Sequence, residues 1–129
     1  MESTPVAIGL HLCDNVIVEA HTGKISLVGM FMHLAMDNFP GVAPPFSVVA
    51  TLTDGLGTGI ITLAVTLLDT GEEIYRQERE FVFPEMLQEA TYQARLRKFS
   101  FPSPGLYQFT LLVDGEWVAH RRLKVHHKR

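Results

Sequence analysis

Apolar and polar positions alternate in short runs along almost the whole chain, and turn-forming residues separate the runs. Period-two alternation rich in valine, isoleucine, threonine and aromatics marks half-buried strands. The pattern predicts strands at about 6–13, 15–20, 25–34, 46–53, 60–68, 73–83, 92–101, 106–113 and 117–126. Breaks fall at Thr22-Gly23, the proline-rich Phe39 to Pro45, Asp54 to Gly59, Thr70-Gly71, Pro102 to Gly105 and Asp114-Gly115. Only Pro84 to Ala90 could form a helical turn, with Pro84 suited to its first position. Many short strands without intervening helices predict an antiparallel β-sandwich or barrel.

The alternation also assigns faces. Ile8, Leu10, Leu12, Val16 and Val18 share one parity, and Ile25, Leu27, Gly29 and Phe31 share another. A hairpin tip at Thr22-Gly23 would set Val18 opposite Leu27 and Val16 opposite Gly29, giving one core face. Asp14 is the charged exception, and a bulge at Cys13 to Asn15 is the expected way to re-aim it. In the last hairpin, Tyr107, Phe109, Leu111 and Val113 face one way, and Trp117, Ala119, Leu123 and Val125 form the matching set. A type I turn over Val113-Asp114 with Gly115 as a left-handed bulge would pair Leu112 with Glu116. Leu111 and Trp117 would then join one core.

The whole chain of 129 residues is expected to form a single domain, 1–129, and it is 47% apolar and 19% charged. That balance excludes disorder and coiled coil. No uncharged stretch is long enough to read as a spanning helix, and no basic, then apolar, leader opens the chain, so a soluble cytoplasmic protein without a membrane partner is expected. The single cysteine, Cys13, excludes an internal disulfide and a multi-cysteine zinc site.

Two segments carry a resemblance. LCDNVIVEAHTGKISLVGMF, from Leu12 to Phe31, contains Cys13-Asp14, the turn Thr22-Gly23-Lys24 and the strand opening Ser26-Leu27-Val28-Gly29. It resembles the start of an uncharacterised family of small bacterial β-sandwich domains. FPSPGLYQFTLLVDGEWV, from Phe101 to Val118, enters a strand through Pro-Gly-Leu-Tyr-x-Phe and turns at Asp-Gly, as many bacterial immunoglobulin-like sandwiches do. The resemblance implies an all-β, immunoglobulin-like antiparallel sandwich of seven to nine strands and a bacterial origin. It implies no activity and no site.

Candidate chemistry is sparse. Asp54 to Gly59, DGLGTG, has the glycines of a phosphate loop, but a strand-like run follows where a helix is needed, so a hairpin loop is expected. His11, Cys13 and His33 would form a patch across the first hairpin that could ligate a metal, yet no further ligand has a supporting spacing. Cys13 sits in an apolar strand beside Asp14, which favours an inert thiol over a nucleophile. Glu78 and Glu80 alternate with Arg76 on one solvated face. No catalytic residue, cofactor or metal is therefore expected, and the chain reads as a non-enzyme.

Charge and apolar surplus say more. Residues 1–94 hold 3 Lys/Arg against 12 Asp/Glu, and residues 95–129 hold 8 against 2. If the strands carrying Glu78-Glu80 and Arg95-Arg97 were sheet neighbours, cross-strand pairing would absorb most of this asymmetry. Otherwise it marks a basic patch for an acidic partner, with nucleic acid disfavoured by the net charge of −3. Met30 to Met36 is apolar on both parities, and Met30, Met32, Leu34 and Met36 lie opposite Ile25, Leu27 and Phe31. Such a strand is either covered by a loop or part of an interface. The leading expectation is a non-catalytic protein-interaction or assembly module working through those four residues, with a protein partner or a second copy. The alternative is a small-ligand or carbohydrate-binding sandwich using Phe39, Phe46, Tyr75, Tyr92 or Trp117.

Overall fold

The computed structural model describes residues 1–128, and every regular element in it is a strand. In chain order these are β1 (Val6–Val18), β2 (Ile25–Met30), β3 (His33–Met36), β4 (Gly41–Val42), β5 (Phe46–Thr53), β6 (Gly57–Leu67), β7 (Glu72–Phe83), β8 (Ala90–Leu96), β9 (Ser100–Phe101), β10 (Gly105–Val113) and β11 (Glu116–His127). A four-stranded sheet runs β2-β1-β5-β8, and a five-stranded sheet runs β3-β11-β10-β6-β7. Strands β4 and β9 form a separate pair. The ladders are antiparallel except β3 on β11, which is parallel.

The inner faces of the two sheets make one core. Phe46, Val48, Ala50 and Leu52 of β5 and Tyr92, Ala94 and Leu96 of β8 meet Ile61, Leu63 and Val65 of β6 and Tyr107, Phe109 and Leu111 of β10. Phe46 sits at the junction, with Phe31, Phe99 and Phe109 rings 5.7, 5.8 and 6.0 Å away at steep angles. Edge-to-face clustering of this kind adds to simple burial. The all-β sandwich expected from the alternation is the observed fold, although its strands number eleven.

Several local expectations are corrected. The run 25–34 is not one strand. Phe31 N–H still donates to the Leu12 carbonyl (3.0 Å), whereas the Met32 carbonyl accepts from Lys124 N–H of the other sheet (3.0 Å). The chain therefore changes sheets between Phe31 and Met32. Pro84 to Ala90 contains no helix, only a turn in which Gln88 N–H meets the Glu85 carbonyl at 3.4 Å. The segment Asp54 to Gly59 joins the two sheets rather than tipping a hairpin. It packs on the start of the chain, with Ser3 Oγ donating to the Asp54 carbonyl (2.9 Å) and a Ser3–Leu56 bridge.

The registers differ from expectation in instructive ways. In the first hairpin Val18 lies opposite Ile25 and Val16 opposite Leu27. The loop is longer than a two-residue tip, closed by Gly23 N–H to the Glu19 carbonyl (2.9 Å). A shift of two residues leaves every side chain on its expected face. The bulge in β1 is at Ile8, between Ala7 and Gly9, not at Cys13 to Asn15. Ile8 consequently points outward and is exposed, leaving Leu10 and Leu12 as the buried members of its series. Asp14 needs no buried donors, because it is exposed.

The last hairpin turns tightly through Asp114 and Gly115, both at positive φ (49° and 82°), with Val113 opposite Glu116. Left-handed geometry at both positions is what a two-residue Asp-Gly turn requires. A bulge exists, but at Val118 and not at Gly115: Leu112 pairs with Trp117 and Leu111 with Ala119, leaving Val118 as the extra residue. That places Leu123 and Val125 in the core, as expected, and turns Trp117 outward, 59% exposed.

Candidate functional site

Strand β1 is longer than the body it belongs to. Its pairing with β5 ends at Cys13 opposite Ser47, and residues beyond Cys13 pair only with β2. At about 3.4 Å per residue, Asp14 to Val18 carry the ribbon about 17 Å past the last pair of the β1–β5 ladder. Both faces of this ribbon carry exposed apolar side chains, with Asp14 at the base of one and Asn15 and Ser26 interspersed on the other. Val18 and Ile25 lie on one side, Ile17, Val28 and Met30 on the other, and all are 41–55% exposed. Only Val16 and Leu27, near the base, are half-buried.

The base of the ribbon is braced. Arg95 Nη1 donates to the Asp14 carbonyl and to Ser47 Oγ (3.0 Å), tying β8, β5 and β1 together. Gly29 has φ +71°, and a Cβ there would collide with the Asp14 carboxylate that lies across it. A cleft of about 380 Å³ opens beside the brace, lined by Asn15, Val16, Ser47, Gln93 and Arg95.

The four methionine-face residues are divided by the change of sheets. Met30 ends β2 on the outer face and Met32 lies in the crossover, each 53% exposed. Leu34 is half-buried against Val125's strand, and Met36 is 6% exposed within the core. The expectation of one continuous face is corrected for Leu34 and Met36: entering the five-stranded sheet turns their parity inward. Sequence reasoning missed Ile17, Val18 and Val28, whose exposure depends on β5 being shorter than β1.

The other candidates are dispersed or buried. His33 lies on β3 beside Lys124, in the sheet opposite His11 and Cys13, so the expected three-residue patch is not assembled. No group of three metal-ligating side chains occurs among the described residues. Cys13 is fully buried and its thiol is pushed up by that burial; the Asp14 carboxylate adds to the rise and Arg95 opposes it. His11 Nδ1 is buried without a partner. Phe46 and Tyr92 are core residues and Phe39 and Tyr75 pack against the core, so Trp117 alone of the five aromatics stands out from the surface, its ring 5.3 Å from that of His120.

The charge expectation is overturned. Strands β7 and β8 are edges of different sheets, not ladder neighbours. They meet along a seam in which Arg79 Nη2 donates to the Gln93 carbonyl (2.9 Å) and lies 4.7 Å over the Tyr92 ring. The ion pairs among the described residues are Met1–Asp114, Arg76–Glu73 and Arg76–Glu78, and none uses a basic residue of the carboxyl-terminal third. Arg129, counted with that basic set, lies outside the described residues.

Solved structures similar to the chain are distant. A β-glucosidase from Listeria innocua in complex with isofagomine shares 12% identity at TM-score 0.49; the match covers 96% of this chain and 16% of that one. The alkylpurine DNA glycosylase AlkC of Pseudomonas fluorescens, bound to DNA with an abasic site analog, shares 14% over 72% of this chain and 26% of its own, at 0.45. The CARDB domain of a Pyrococcus furiosus protein, in complex with di-metal ions, shares 13% over 96% of both chains, at 0.44. The chain spans about one sixth of the glucosidase, and none of these likenesses is near enough to transfer an activity. No match was found among curated proteins. A family model does match, over residues 9–126, and the chain is a member of that family, a family of unknown function (DUF6941).

Proposed function

We propose that the chain is a non-catalytic interaction module that docks on a protein partner through the projecting β1–β2 ribbon and the adjoining Met32. The observation that carries this reading is the ribbon's exposure of Ile17, Val18, Ile25, Val28 and Met30 on two faces. Isolated apolar residues on a surface are ordinary, but a contiguous apolar element beyond the core is the usual mark of an interface. Methionine at its base adapts to an uneven partner surface. The bare edge of β2 offers backbone groups for strand addition as well.

A bacterial, cytoplasmic setting and an immunoglobulin-like topology belong to the same proposal. The lone free Cys13 suits a reducing compartment. Tyr107 hydroxyl, which donates back to the Ser103 carbonyl, supports the topology because a tyrosine corner of this kind recurs in such sandwiches.

The test compares the protein with a Val28→Glu/Met30→Glu variant in capture from native host lysate, with circular dichroism confirming that both are folded. A stoichiometric partner retained in high salt and lost from the variant is the expected result. A partner set that is the same for both proteins overturns the proposal. The carbohydrate-binding alternative rests on Trp117 alone, and unchanged indole fluorescence across a sugar panel would remove it.

A further inference from the structure

The outer face of the five-stranded sheet has a charge pattern that a single copy satisfies only in part: Arg76 pairs with Glu73 and Glu78, while Arg122, Lys124 and Glu80 have no ion pair among the described residues. Along one side, β11 presents His120, Arg122 and Lys124, with His33 of β3 beside Lys124. Along the other, β7 presents Glu78 and Glu80 together with Glu73, whose carboxylate is held low by Arg76. Between them β10 and β6 carry uncharged rows: Leu112 beside Thr62, Thr110 beside Ala64, and Gln108 beside Thr66. Thr62, Ala64 and Thr110 are short and at most 9% exposed, so the middle row of the face lies below the longer side chains around it.

Strands β11 and β7 are three spacings apart, about 14 Å, which exceeds the screening length of about 8 Å at physiological salt. The two rims therefore do little to neutralise each other within one chain. Arg122 finds only the Gln108 amide oxygen at 3.3 Å.

We infer that this face is a self-complementary docking surface for a second copy of the chain, packed sheet on sheet about a two-fold axis parallel to the strands. The charge pattern selects that axis. A two-fold across the strands would lay β11 on β11, cation on cation. A two-fold along them lays β11 of each copy over β7 of the other, so every favourable contact is made twice. Each cross-strand row then meets its own reverse. Arg122 shares a row with Gln108, Thr66 and Glu73, so it faces the Glu73 of the second copy. Trp117 shares a row with Leu112, Thr62 and Glu78, so it faces the Glu78 of the second copy. The row between sets His120 against Arg76, whose guanidinium is held in its own chain by Glu73 (2.9 Å) and Glu78 (3.5 Å). The short side chains at the centre admit the approach of about 10 Å at which sheets pack. This surface is separate from the apolar ribbon and stands or falls without it.

The experiment is sedimentation velocity on the whole chain at about 0.15 M and about 1 M salt, with two folded charge-reversal variants, Arg122→Glu/Lys124→Glu and Glu73→Lys/Glu78→Lys. The expected result is a dimer weakened by salt and weakened roughly tenfold or more in each variant alone. Mixing the two variants should restore a mixed dimer, because both of its rim-to-rim contacts, one native and one with both charges reversed, are again opposite in charge. Arg122→Gln, a milder change, should give an intermediate effect. A monomer at both salts overturns the inference. So does a dimer indifferent to both reversals, or one lost only on Val28→Glu/Met30→Glu, which would assign dimerisation to the ribbon. A monomer that instead retains a poly-glutamate peptide or an oligonucleotide through Arg122 and Lys124 also overturns it, and assigns the basic rim to that partner.

Discussion

Strands β5 and β2 belong to the same sheet and have similar composition, yet their fates are opposite. FSVVATLT of β5 is buried at six of eight positions, including outward-facing Ser47 and Val49. ISLVGM of β2 has one half-buried residue, Leu27, and is otherwise exposed. Composition does not separate them; position does. Strand β5 has β1 on one side, β8 on the other and the second sheet across its inner face. Strand β2 has only the overhanging end of β1. An apolar strand is a core element only where other strands reach it, and elsewhere it is a surface on offer.

Truncation should expose the contrast most strongly. Phe46→Ala removes the ring around which Phe31, Phe99 and Phe109 gather and should cost about 3–5 kcal/mol in urea unfolding. Val28→Ala in β2 should change stability by less than about 0.5 kcal/mol. Comparable losses at both positions would mean the ribbon is packed in solution.

Alkaline titration probes the well-buried side next. Tyr92, opposite Ala50 of β5, is pushed up to about 12 by burial, with the Arg79 guanidinium opposing. The fold thus favours the neutral phenol. Its contribution is complete below the unfolded value near 10 and is lost as pH rises towards 12. Stability should fall by about 2–3 kcal/mol across that window, and Tyr92→Phe should flatten the fall.

Smaller effects are expected at the ribbon. Gly29→Ala forces an L residue to φ +71° under the Asp14 carboxylate and should cost about 1–2 kcal/mol. Adding Asp14→Ala should recover the steric part and leave the backbone part. Arg95→Ala removes the brace on the Asp14 carbonyl and should cost about 1 kcal/mol. Hydrogen exchange would report it as faster exchange in Asn15 to Val18 with little change in β5. Uniform acceleration through both strands would show that ribbon and body open as one unit.

Legibility in the sequence follows the range of the interaction concerned. Alternation identified the strands and their inward faces at Leu10, Leu12, Tyr107, Phe109, Leu111, Leu123 and Val125, because side-chain parity is a property of neighbouring residues. The same rule failed at Ile8 and Trp117, where a single extra residue reverses parity and leaves no compositional trace. The Met30 and Met32 part of the candidate surface was legible as an apolar surplus. Its division from Leu34 and Met36 was not, since the surplus continues unbroken across the crossover at Phe31 and Met32.

The sequence by itself determined an all-β chain, most of its strand-forming segments, a cysteine set in an apolar strand and the separation of acidic from basic residues along the chain. All of these follow from local pattern and count. Only the tertiary structure decided which sheet takes β3, how far β1 overhangs β5, and that the acidic β7 and basic β11 lie at opposite sides of one face. Those outcomes depend on partners distant in sequence, and hydrogen-bonding edges of two sheets compete for the same kind of strand with nothing in its own residues to name the winner.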